Sequence, residues 1–335
     1  MEERTFAQLG RVEAVRQLFE GSGYKPFAEP VAFVAKAGET CVSAAKTFIE
    51  GTDFDLVYFP LKHLGGKAVV AVTGELYAAM AHPRTLSVVL GVSAKLDFAQ
   101  VSELWSGVVA ASKEHGYTAL SLDLIPSRNG LSINVSASGA LAKLTAARMP
   151  APKSKDLLCV SGSLGAAFLG LQLLERERVK FEQGAGEKDG LEKYRMLVGA
   201  YLRPELGAGT VGQMEDGEIY PSSGVFVTRG LSDAVFRIAR ASGLGAKIYA
   251  DKIPFEGGSF AIGKELDIDP VSAAMNGGDD FKLLFTVPIL QLEKFRRDFQ
   301  TFDIIGHLAQ PEAGTVLVTP EGVELPLTAP GWPRE

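Results

Sequence analysis

Only two cysteines, four histidines and two tryptophans occur in the 335 residues. No apolar run approaches the roughly 20 residues of a membrane-spanning helix, and no span is expected. Cys41 and Cys159 lie in apolar, strand-like contexts without paired spacing, which predicts two buried thiols in a reducing compartment rather than a disulfide. Zinc is excluded on the same ground, since His63, His82, His115 and His307 are scattered without ligand spacing. Lys and Arg total 34 against 40 Asp and Glu, for a net charge of −6, and no basic stripe interrupts the chain. Nucleic acid therefore lacks its usual electrostatic anchor. The opening stretch MEERTFAQLG has no apolar core of the kind a secretion signal carries, which predicts a cytoplasmic address.

What is present is the composition of a soluble, well-packed α/β (α+β) protein: 46% apolar and 22% charged residues, with 37 glycines and 17 prolines. The length predicts two domains. In the first, residues 60–81 carry a helical period behind Pro60, and the run TLSVVLGVSA reads as a strand. The stretch FAQVSELWSGVVAASKEHG follows with Phe98, Val101, Leu104, Trp105 and Val108 on one helical face and Gly116 as its stop. YTALSLDLIP and GLSINVSASGAL, joined by SRNG, read as an antiparallel hairpin. The order β, helix, β, helix, β, β predicts a helix-backed, mostly antiparallel sheet.

Two prolines and mixed charge in AARMPAPKSKD (146–156) mark a crossing between domains, placing the first at 1–150 and the second at 151–335. DLLCVSGSLGAAFLGLQLLERERVKF reads as strand, glycine turn and helix, and residues 183–190 as a polar, flexible surface loop. After a further helix and an irregular stretch to Gly230, LSDAVFRIARASG reads as a helix, AKIYADKIP and DFKLLFT as strands, LQLEKFRRDF as a helix, and the remainder as closing strands.

Four blocks, FDLVYFPLKHLGGKAVV, DLLCVSGSLGAAFLGLQLLERE, NGGDDFKLLFTVP and DIIGHL, resemble segments of bacterial thiamine-monophosphate kinase in the same order and spacing. The resemblance implies the two-domain aminoimidazole ribonucleotide synthetase-like fold, with an N-terminal ATP-binding, dimerising domain and a C-terminal α/β domain. It also implies ATP and magnesium as cofactors, a small phosphorylated ligand and a homodimer. Transfer of a γ-phosphoryl group to thiamine phosphate depends on positioning and charge neutralisation, for which the family uses many aspartates.

At the positions that match those motifs, this sequence departs. EPVAFV (29–34) puts Pro30 and Val31 where the family carries two acids, and Ala44, Ala45 and Lys46 stand for Ser-Thr-Asp. VTGE (72–75) keeps only Glu75, and SLDLI (121–125) keeps only Asp123. FVTRGL (226–231) places Phe226 and Arg229 at acidic positions and Thr228 at a serine. A magnesium cluster is not expected under this charge balance. Asp123 and Glu75 are the remaining candidate catalytic or metal-holding residues, able together to hold one ion. Lys46, Arg229 and Thr228 are candidate anion or nucleotide binders, joined by Gly162 and Gly165 of a turn at a helix N-terminus. Asp279 and Asp280 fit either a structural part, taking backbone N–H bonds to fix the turn into the following strand, or a substrate contact. Two functions follow: a kinase-like protein that has lost phosphoryl transfer and acts by binding a nucleotide, a phosphorylated metabolite or a partner, or an active thiamine-monophosphate kinase working with fewer ligands.

Overall fold

The computed structural model describes residues 6–27, 30–184 and 191–329. Met1–Thr5, Glu29 of EPVAFV and residues 185–190 of the expected surface loop lie outside the described residues. The chain divides near Lys143 into two compact units, with Ala78–Met80 grouped with the second.

Unit 1 contains α1 (Phe6–Leu9), α2 (Arg11–Phe19), β1 (Thr40–Ile49), α3 (Leu61–Ala78), β2 (His82–Ser93), α4 (Phe98–Glu114), β3 (Ala119–Ser127) and β4 (Ser132–Leu141). The α4 helix starts where Asp97 accepts the Gln100 N–H while the Gln100 side chain accepts from the Asp97 N–H, a reciprocal cap of two otherwise orphaned donors. It stops at Gly116, whose φ of 75° lets the Tyr117 N–H return to the Ser112 carbonyl. Val101, Leu104, Trp105 and Val108 are buried, and Phe19 of α2 packs on Trp105 with ring centroids 5.1 Å apart. The α3 and α4 backbones nearly touch: a Cβ on Gly107 would fall 1.9 Å from the Lys62 carbonyl oxygen, and one on Gly65 2.1 Å from that of Leu104. Glycine is therefore obligatory at this crossing.

The sheet order is β1-β4-β2-β3, so the expected β3–β4 hairpin is absent. β3 runs parallel to β2, and β4 pairs antiparallel with β2 and β1. The α4 crossover returns β3 alongside β2 on one edge, leaving β4 only the other edge, so SRNG bridges across the end of β2 instead of closing a hairpin. Strand alternation separates two faces. Leu86, Val88, Leu90, Leu120, Leu122, Ile133, Val135 and Ala137 point to the buried one. There Leu76 of α3 comes within 3.2 Å of where a Gly139 Cβ would stand. The other face carries the register row Thr47, Asn134, Val89 and Asp123. Cys41 belongs to this open face on edge strand β1 and is exposed, correcting the expectation of a buried thiol. Cys159 is buried, and burial pushes its pKa up.

Unit 2 contains α5 (Lys143–Arg148), β5 (Leu157–Val160), α6 (Ala166–Glu182), α7 (Arg195–Leu202), α8 (Thr210–Asp216), β6 (Ser223–Val227), α9 (Leu231–Ser242), β7 (Gly245–Tyr249), α10 (Ser259–Leu266), α11 (Pro270–Asn276), β8 (Lys282–Val287), α12 (Leu292–Asp298), β9 (Asp303–Ala309), β10 (Thr315–Val318) and β11 (Glu324–Pro326). The helix expected after the loop is α7, and the stretch read as irregular up to Gly230 resolves into α8 and β6. The sheet order is β11-β10-β7-β9-β5-β8-β6, antiparallel except for β10 beside β7. One core packs Leu231, Val235 and Ile238 of α9 on Val160, Val227, Ile248, Leu284 and Ile305. A second joins Leu169 and Leu173 of α6 to Leu197 of α7 and Ile262 of α10. No helix of the described residues is long and apolar enough to cross a membrane.

Candidate functional site

In unit 1 the open sheet face holds a hollow of about 550 Å³ lined by Pro30, Val31, Thr85, Ser87, Ser121, Asp123, Ser136 and Ser138. The Pro30-Val31 and Asp123 segments, far apart in sequence, therefore meet over a surface of hydroxyls. Strand alternation builds it: along β4 this face carries Ser132, Asn134, Ser136 and Ser138 before it ends on Ala140. Hydrogen bonds link it sideways, from Thr47 to Asn134 at 2.9 Å and between the Ser43 and Ser138 hydroxyls at 3.1 Å.

Asp123 is ion-paired with Arg11 of α2, a partner that sequence reasoning missed. The guanidinium supplies the positive charge that a cation would bring to this carboxylate. Among the described residues no group of three or more His, Cys, Asp or Glu is placed to hold a metal. Pro30 and Val31 offer no side-chain oxygen, so the donor set of this hollow does not fit magnesium, which requires several oxygen ligands. Glu75 sits on α3, which covers the opposite face of the sheet, so the pairing of Asp123 with Glu75 around one ion is corrected: the sheet stands between them. Lys46 is likewise on that opposite face, in register with Val135 and Val88, with its ammonium 5.8 Å from the Phe48 ring centroid. It does not share a surface with Asp123.

In unit 2 the sheet topology gathers the remaining candidates at one end. The turn after β5, the Thr228-Arg229 turn after β6 and the NGGDD entry to β8 adjoin because β8 lies between β5 and β6. The Asp279 N–H donates to the Thr228 carbonyl at 3.0 Å and the Phe281 N–H to that of Val227 at 2.9 Å. Both Asp279 and Phe281 have positive φ, 60° and 49°, an uncommon conformation for side-chain-bearing residues that turns the chain sharply into β8. Arg229 is exposed and Thr228 half-buried.

Asp280 is buried, and its two carboxylate oxygens accept the Gly165 N–H at 2.9 Å and the Ala167 N–H at 3.3 Å. This carboxylate fastens the start of α6 to β8 and does not bond its own turn. The sequence offers the Gly165 N–H to a ligand phosphate, but that donor is committed to Asp280. Burial raises the Asp280 pKa to about 7, opposed by the two N–H bonds and by Lys282. Lys282 opens β8 with a half-buried side chain, and burial lowers its pKa while Asp280, Glu205 and Glu256 oppose the shift. Sequence reasoning places Lys282 within a strand; the signal available is a lysine two residues after the second of two adjacent acids and just ahead of the apolar run LLFTV.

No family model matches the chain. Among curated proteins, a thiamine-monophosphate kinase of Pyrococcus horikoshii is 28% identical over 279 residues, covering 83% of this chain and 81% of that one. The thiamine-monophosphate kinase of Aquifex aeolicus, solved as AaThiL complexed with AMPPCP and TMP, superposes with a TM-score of 0.70 at 21% identity, covering 97% of each chain. E. coli HypE, a hydrogenase maturation protein, superposes with a TM-score of 0.72 at 19% identity, covering 96% of this chain and 98% of that one. The chain thus resembles thiamine-monophosphate kinases over most of its length, and its two-domain fold is the aminoimidazole ribonucleotide synthetase-like fold that these structures share.

Proposed function

From this resemblance we propose that the protein is a thiamine-monophosphate-kinase-like binding protein, impaired in metal-assisted phosphoryl transfer, that takes a nucleotide or another small phosphorylated ligand. The observation that carries the reading is the Arg11–Asp123 ion pair beside Pro30 and Val31. A phosphoryl-transfer site gathers oxygen ligands around magnesium between two polyanions. Here a tethered guanidinium faces the one acid of that hollow, and the neighbouring positions carry an imino ring and an isopropyl group. ATP is the nucleotide the resemblance favours, since a structural relative is solved with AMPPCP. Homodimerisation is part of the proposal: the open face of the unit 1 sheet and its edge strand β1 offer unpaired surface and backbone for a second copy.

The second reading, an active thiamine-monophosphate kinase, draws on similarity spanning 83% of the chain. The two separate in one assay: thiamine diphosphate formation by purified protein with ATP, magnesium and thiamine phosphate, beside a mock purification. Turnover matching the mock, with saturable nucleotide or thiamine phosphate binding, is the expected result. Turnover above the mock would replace the binding reading with the kinase.

A further inference from the structure

We propose that Lys282 and the turn at Gly162–Ser163 form a metal-independent receptor for one phosphate monoester group; this rests on the reading of a small phosphorylated ligand and names the residues that hold its phosphate. The Lys282 side chain is half-buried, yet its ammonium has no hydrogen bond or ion pair among the described residues. It is aimed at the turn: a Cβ on Gly162 would lie 3.5 Å from the Lys282 Cε and 3.8 Å from its Nζ. Gly162 has a φ of 130°, open to glycine and strained for any L side chain, so the backbone beneath the ammonium stays bare.

The turn's donors are unevenly used. The Ser161 N–H donates to the Leu283 carbonyl, the Leu164 N–H to that of Pro254, and the Gly165 and Ala167 N–H groups to Asp280. The Gly162 and Ser163 N–H groups and the Ser163 hydroxyl have no partner among the described residues. The start of α6 is therefore not the receptor, being already filled by a carboxylate; the free donors lie two residues upstream, on the side where Lys282 stands. An anion that accepts from this ammonium and from the two amides would give all three a partner. Asp280, Glu205 and Glu256 act on Lys282 only through their field. Glu205 is itself exposed and 3.8 Å from Arg203.

The test uses the full chain in EDTA with inorganic phosphate as probe. Calorimetric titration is run on the wild type, Lys282→Met and, as the control, a variant of the exposed α10 residue Lys264, Lys264→Met, with thermal unfolding as the control for folding. In parallel, the amide resonances of the isotopically labelled wild type are followed during the titration. The expected result is phosphate binding that weakens at least tenfold in Lys282→Met and is unchanged in Lys264→Met, with the largest shifts at the Gly162 and Ser163 amides. Equal affinity in Lys282→Met, shifts confined to other residues, or no binding by the wild type would overturn the proposal. If nucleotide and thiamine phosphate fail to bind while phosphate still titrates Gly162 and Ser163, the proposed function falls and this receptor stands.

Discussion

Replacing Asp280 by Asn should reshape the pH dependence of stability more than its overall level. In the folded protein the Asp280 carboxyl titrates near pH 7, raised by burial, whereas in an unfolded chain it titrates near 4. Between those values the folded state holds a proton that the unfolded state has released. The contribution of this group is therefore complete at low pH and is lost as pH rises from about 4 to about 7. A shift of about three pKa units corresponds to about 4 kcal/mol across that window, an order-of-magnitude ceiling because the two N–H bonds and Lys282 move with the charge. Asn has nearly the same shape and keeps one acceptor for the Gly165 N–H, but it loses the second bond, to Ala167, at a cost of about 1 kcal/mol. Urea unfolding of both proteins at half-unit steps from pH 4 to 8 reads the difference directly, and groups common to both cancel. The variant should be less stable than the wild type at pH 4, should gain on it up to about pH 7 and should level off by pH 8. A stability difference that stays constant over that range would refute the argument that Asp280 is buried as an acid of raised pKa.

Gly107→Ala should cost about 2–3 kcal/mol in urea unfolding, because its Cβ would overlap the Lys62 carbonyl oxygen and drive α3 and α4 apart. Arg11→Ala should change stability by less than about 1 kcal/mol, since both members of its ion pair with Asp123 are substantially solvated. An aromatic thiol reagent should reach Cys159 only on unfolding, as counted by mass spectrometry, and should modify Cys41 of the folded chain rapidly when dilute and more slowly at concentrations where a second copy covers β1. His115, whose pKa burial lowers and whose Nδ1 lies 3.1 Å from the Tyr77 hydroxyl, favours its neutral form when folded. Its contribution is present above the ordinary histidine range and is lost as pH falls through it, so His115→Gln should flatten the loss of stability between pH 7 and 5.

The long helices were legible in the sequence because each buries one periodic stripe: α3, α4, α6 and α9 lie where the apolar spacing puts them. The short helices α8, α10 and α11, of seven or eight residues, carry too few turns for a period to stand out. Local signals also misplace partners that topology decides. A turn tetrapeptide between two strands favours a hairpin, but the parallel β2–β3 crossover had already taken one edge of β2. Cys41 has the same local setting as a core residue, and only the strand register shows it on the open face. The candidate site was legible as a set of lost acids and illegible in its contacts. Arg11 reaches Asp123 across 112 positions, and Asp280 reaches Gly165 across 115, separations at which residue spacing carries no information.

The Asp280 carboxyl group at the start of α6 is an acceptor tied by the chain to the very amides a phosphate would seek. A tethered group competes at the effective concentration set by its linkage, in the millimolar range or above even for flexible tethers, and here both anchor points belong to one packed sheet. A phosphorylated metabolite arriving from solution at micromolar levels cannot evict it. The helix dipole of α6 is thereby spent inside the fold, as a joint between β5 and β8, and any selectivity for ligand must be set by groups whose own chain has left them vacant hands.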